Sequence, residues 1–176
     1  MSGHGGGAMI PAHLAMLALA VTVLAGVRSA AAASAQYAVV TTNRPELCAP
    51  GRGTAVELRI TGLRSARGNL FVRAYHARSE DWLQAKRYLI RVDAVPRAGS
   101  VTVCVPLPGP GRFAIAAHHD VDGDREMDVT SDGAAMSNNP EVRTFLGIPR
   151  PPPVEKAAFT AAAGVNRLTI AMRYRD

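Results

Sequence analysis

Val56-Glu-Leu-Arg-Ile60 alternates apolar and polar residues with period two, and Arg167-Leu-Thr-Ile-Ala-Met-Arg-Tyr174 does the same near the C-terminus. In an extended chain successive side chains point to opposite faces, so this pattern makes one apolar face and one polar face. Four more β-type runs lie between these two. They are Asn69-Leu-Phe-Val-Arg-Ala-Tyr75, Tyr88-Leu-Ile-Arg-Val92, Ser100-Val-Thr-Val-Cys-Val105 and Arg112-Phe-Ala-Ile-Ala-Ala117. Turn residues separate them: Gly68, then Pro96 and Gly99, then the cluster Pro106-Leu-Pro-Gly-Pro-Gly111. A seventh strand is expected near Ala157-Ala-Phe159. Short strands spaced by Gly and Pro predict an all-β fold, a single immunoglobulin-like or transthyretin-like sandwich of about seven strands. Helical periodicity is confined to Ser79–Lys86, with Ser79 as a candidate N-cap. Pro149-Arg-Pro-Pro-Pro153 reads as a stiff connection running along the sandwich.

The 176 residues are 48% hydrophobic and 19% charged, enough apolar material for one domain of ordinary size. The net charge is +6, and all but two of the 20 basic residues are Arg, the exceptions being Lys86 and Lys156. No basic run is interleaved with aromatics, so no nucleic-acid partner is expected. A basic surface suits an anionic envelope polymer or another extracellular ligand.

Leu14–Ala25 is an apolar run of signal-peptide length, and Ala33-Ser34-Ala35 supplies an A-x-A cleavage site. The expected organisation is a signal peptide over 1–35, a leader segment over 36–54 and the sandwich over 55–176. The start could be Met1 or Met9. No later apolar stretch is long enough to cross a bilayer, so no transmembrane segment is expected after cleavage. Export places the protein in the periplasm or outside the cell. There Cys48 and Cys104, the only two cysteines, are expected to pair.

Six of the 14 acidic residues fall between positions 120 and 132: Asp120, Asp122, Asp124, Glu126, Asp128 and Asp132. Carboxylates at alternate positions repel one another, and a hard cation offsets that by collecting several oxygens. Asp120, Asp122 and Asp124 match positions 1, 3 and 5 of a calcium loop, with Glu126 at 7 and Asp128 at 9. Arg125 at position 6, Ser131 at position 12 and the missing flanking helices exclude an EF-hand. Three readings stay open: a calcium loop between β-strands, an exposed acidic turn held by its own side chains, and a transition-metal site using His118 or His119. Because the two histidines are adjacent on a strand, only one of them should reach the loop.

No G-x-S-x-G motif and no βαβ framework is present, so catalysis is a secondary reading. Its form would be a small hydrolase using His119 and a loop carboxylate. Ser137-Asn-Asn-Pro140 is a turn by composition, and Ser137, Asn138 and Asn139 are expected, with His119, to brace the acidic loop.

Leu107-Pro-Gly-Pro-Gly-Arg-Phe-Ala-Ile-Ala-Ala-His-His-Asp120, the acidic run after it, and Ser137-Asn-Asn139 together resemble an exported bacterial family, the domain of unknown function numbered 2141. Leu58–Leu63, Gly68–Val72, Phe145–Pro149 and Ala157–Phe159 are similar to its opening and closing parts. The resemblance covers about residues 55 to 176 and implies an exported β-sandwich with no established activity. In this chain Asp122 and Asp124 stand where the family has Asn, Arg125 where it has Gly, and Met136 where it has Phe.

Overall fold

The computed structural model describes residues 1–6, 37–146 and 148–175. The chain divides into two units, Met1–Ala33 and Ser34–Asp176. The described part of the first, residues 1–6, is exposed and without helix or strand. The expected signal peptide and its cleavage point lie outside the described residues. No helix among the described residues is long and apolar enough to cross a membrane.

The second unit is nearly all β. Its elements are β1 (Val39–Thr42), a 3-10 turn (Pro45–Cys48), β2 (Ala55–Leu63), β3 (Asn69–His76), β4 (Ile90–Ala94), β5 (Gly99–Pro106) and β6 (Gly111–Asp120). Then follow β7 (Gly133–Met136), β8 (Arg143–Phe145), β9 (Ile148–Arg150), the one-turn α1 (Val154–Ala157), β10 (Phe159–Ala161), β11 (Val165–Ala171) and β12 (Arg173–Tyr174). The large sheet has the order β1-β4-β3-β6-β7-β12, with β10 also paired to β6. The small sheet has the order β11-β2-β5, and β8 and β9 form a separate hairpin.

The period-two pattern explains the layers. Val56, Leu58 and Ile60 of β2, Val103 and Val105 of β5, and Ile170 of β11 face Leu70, Val72 and Ala74 of β3 and Phe113, Ile115 and Ala117 of β6. Nearly all are fully buried, so the two sheets enclose one core. Each of the Val, Leu, Ile and Phe side chains among them contributes roughly 1.5–3 kcal/mol by leaving water. The all-β sandwich is therefore as expected, with further short strands among the described residues beyond the seven read from the pattern. The expected Tyr88–Val92 strand begins at Ile90, and the expected C-terminal strand is two strands. β11 runs beside β2, the chain steps across at Met172, whose N–H bonds Thr61, and β12 joins the large sheet beside β7.

The leader is also part of the fold. β1 pairs in parallel with β4. Asn43 accepts the Cys104 N–H at 3.0 Å and donates to the Thr102 carbonyl at 3.2 Å. The Cys48–Cys104 disulfide follows, with Cα atoms 5.8 Å apart. The leader thus covers the open edge of β5, which would otherwise present unpaired backbone groups.

The outer face of the large sheet carries a second, smaller core. Tyr75, Trp82, Ala114, Val154 and Ala157 are buried together there. The Trp82 indole donates to the Pro152 carbonyl at 2.9 Å, which ties the 79–87 turn to the proline-rich connection. Asp81, fully buried, holds that turn through Arg87 at 2.6 Å and Arg78 at 3.5 Å.

Candidate functional site

Strand β6 sets the site. Phe113, Ile115 and Ala117 point into the core, so the same phase sends His119 inward and His118 to the outer face. Register places Asn69 beside Asp120 and Leu70 beside His119. His119 is fully buried. Its Nε2 lies 2.9 Å from the Arg67 carbonyl, which can only accept, and its Nδ1 lies 2.5 Å from the Tyr174 hydroxyl. Both nitrogens are engaged inside the sandwich, so His119 does not brace the acidic loop and presents no base to a bound molecule. The imidazole that reaches the loop is that of His118, whose Nε2 lies 2.8 Å from Asp132 Oδ2.

Two buried carboxylates carry the loop. Asp120 Oδ1 accepts the Gly123 N–H at 2.8 Å. Its Oδ2 accepts the Asn69 amide at 2.8 Å and the Arg125 N–H at 3.2 Å. Asp132 Oδ1 accepts the Val121 N–H at 3.0 Å, and its Oδ2 accepts the Asp128 N–H at 3.1 Å. Between them smaller turns repeat the device: Asp124 accepts the Glu126 N–H at 2.8 Å, and Asp128 accepts both the N–H and the hydroxyl of Thr130. The repulsion expected of alternating carboxylates is thus partly offset by the loop's own donors.

The electrostatics follow from this wiring. Burial pushes the Asp120 pKa up, but the Asn69 amide, the Gly123 and Arg125 N–H groups and the neighbouring His118 outweigh it, leaving the net value below the ordinary one. Asp132 behaves alike, its burial outweighed by His118 and by the Val121 and Asp128 N–H groups. Asp128, fully exposed, is lowered by Thr130.

Of the five residues expected to hold a cation, the fold brings three together. One carboxylate oxygen each of Asp120, Asp122 and Asp124 lies within 4.8 Å of the others, with Asp120 buried and the other two exposed. Glu126 and Asp128 stand outside that group. Such an all-oxygen set suits a hard cation such as calcium and no soft one.

Ser137, Asn138 and Asn139 lie at the opposite end of β7 from the loop and serve the sandwich instead. The Ser137 hydroxyl, fully buried, accepts the Ile115 N–H at 2.9 Å and donates to the Ala157 carbonyl. Asn138 donates to the Ala158 carbonyl at 2.7 Å. Asn139 accepts the Ala171 N–H at 2.7 Å and donates to the Thr169 carbonyl at 3.1 Å. This motif is a clamp joining β6, β7, β11 and the α1–β10 connection. Asn69, which no sequence signal marked, holds the loop together with His118, one of the two adjacent histidines of which a single one was expected to reach it, and Asp132, the last carboxylate of the acidic run.

Among known proteins, the bacterial family described as "Uncharacterized protein conserved in bacteria (DUF2141)" matches residues 58–169. No curated protein and no solved structure matches. The matched span runs from β2 through β11 and contains the acidic loop, both histidines and the Ser-Asn-Asn clamp.

Proposed function

The chain belongs to DUF2141, and we propose that it works as an exported, non-catalytic binding module whose acidic loop takes a calcium ion. The observation that carries this is the convergence of Asp120, Asp122 and Asp124 within 4.8 Å. Asp120 would act as the fixed ligand, since three donors already orient its carboxylate and a preset ligand loses little entropy on binding. Asp122 and Asp124 would complete the protein's share, with water filling the rest of a calcium shell. Residence outside the cytoplasm is supported by the Cys48–Cys104 disulfide. The non-catalytic reading is supported by the engagement of His119 and Ser137 in internal hydrogen bonds. Calorimetric titration of calcium into chelator-treated protein tests the proposal. The expected result is a saturable single site, lost in Asp124→Ala. Heats no larger than dilution at millimolar calcium would refute it.

A further inference from the structure

The outer face of the large sheet holds a cavity of about 530 Å³ between the second core and the acidic loop. That volume lies in the range of small-molecule sites, roughly 300–1,000 Å³. Tyr75, Ala116 and Met136 form its floor, and Leu83 and Tyr88 form one wall. The opposite wall is the acidic loop, which contributes only its odd-numbered residues Arg125, Met127 and Val129. Its carboxylates Asp122, Asp124, Glu126 and Asp128 do not line the cavity. The loop thus turns its charge one way and an apolar, cationic side the other. Met127 and Val129 are about half exposed, which leaves apolar surface bare at the rim.

Arg73, Lys86 and Arg125 also line the cavity, and no carboxylate does. None of the three cations has a carboxylate partner among the described residues, whereas Arg78 and Arg87 nearby are both bound to Asp81. An apolar floor beneath unneutralised cations selects an occupant with an apolar body and an anionic head. We infer that this cavity is a binding site for a small single-chain amphiphile bearing a carboxylate or phosphate. The site is separate from the calcium reading and is tested with chelator present.

Trp82 is the only tryptophan of the chain. Its ring meets that of Tyr75, on the cavity floor, at 5.4 Å between centroids, so its fluorescence reports filling of the cavity. The folded, disulfide-intact protein is titrated with decanoate, decyl phosphate and decyltrimethylammonium, each below its micelle concentration. A saturable change with either anion supports the site, and the tighter anion identifies the head group. Ala116→Phe, which fills the floor, and Met127→Glu, which places a carboxylate on an exposed wall, should each weaken anion binding by about tenfold or more. Met127→Glu lies outside the core, so it remains informative if Ala116→Phe fails to fold. Absence of a saturable change with both anions, equal binding of the cationic amphiphile, or wild-type binding by Met127→Glu would overturn the inference.

Discussion

A β-carbon added to Gly68 would lie 1.8 Å from the carbonyl oxygen of Asp120, in a backbone conformation (φ +72°) that residues with side chains rarely adopt. The turn before β3 and the end of β6 approach each other that closely because Asn69 pairs with Asp120 across the sheet. The position of the first loop carboxylate therefore depends on the absence of a side chain at Gly68. Gly68→Ala must move backbone on one side or the other and strain its own φ. The expected cost is more than about 1 kcal/mol, read as a lowered Tm, and Asn69→Ala should cost less. A Gly68→Ala protein as stable as wild type would remove Asp120 from this arrangement.

Asp132 offers a second test. Replacing it with Asn keeps the size but removes one acceptor oxygen, either the one that takes the Val121 N–H or the one shared by the Asp128 N–H and His118. An unsatisfied buried donor costs about 1–3 kcal/mol. Asp132→Asn should therefore unfold at lower denaturant concentration with an unchanged slope. Asp128→Asn, at an exposed position, should stay close to wild type.

The same carboxylates set the response to acid. Asp120 and Asp132 have folded pKa values below their unfolded value of about 3.9. Groups shifted down add stability that is complete above the unfolded value and is lost as pH falls through the folded values. The share of stability that these two carboxylates contribute should, in chelator, be complete down to about pH 5 and be lost below about pH 4. The fall should be shallower in Asp132→Asn. An identical acid limb in that variant would show that its protonation does not drive the transition.

The disulfide ties residues 56 apart in sequence, and a closed loop of that length is worth about 4 kcal/mol in the chain-entropy account. Reduction, or Cys48→Ser with Cys104→Ser, should lower Tm strongly. Native protein should react with no thiol reagent. A stoichiometric thiol titre without denaturant would contradict the bridge.

The core strands were legible because Val56–Ile60, Asn69–Tyr75, Ser100–Val105 and Arg112–Ala117 alternate or concentrate apolar residues over five residues or more. β1 and β7 were not, and β12 was read as one strand with β11. Val39–Thr42 and Gly133–Met136 are four residues each, the latter too rich in Gly and Ala for a β signal, and both are strands through their sheet partners. The acidic loop was visible as a local reversal of charge, but not the burial of two of its carboxylates, which depends on pairing with β3 and β7. The histidines show the same limit. That only one could reach the loop followed from adjacency, while the choice of His118 needed the phase of β6 relative to the core. Ser137-Asn-Asn139 was recognisable as a unit and expected to brace the acidic loop, whereas its amides bond across 20 or 30 positions to other parts of the sandwich.

Thermal melting of the folded protein in calcium and then in chelator bears most directly on the central claim. A ligand that binds only the folded form adds about 2.7 kcal/mol at a hundredfold excess over its Kd. The account predicts a higher Tm in calcium for the wild type, and no difference between the two curves for Asp124→Ala, which should remain folded because that side chain is exposed. Coincident curves for the wild type at millimolar calcium would contradict it, and would leave Asp120, Asp122 and Asp124 as a turn held by its own backbone donors.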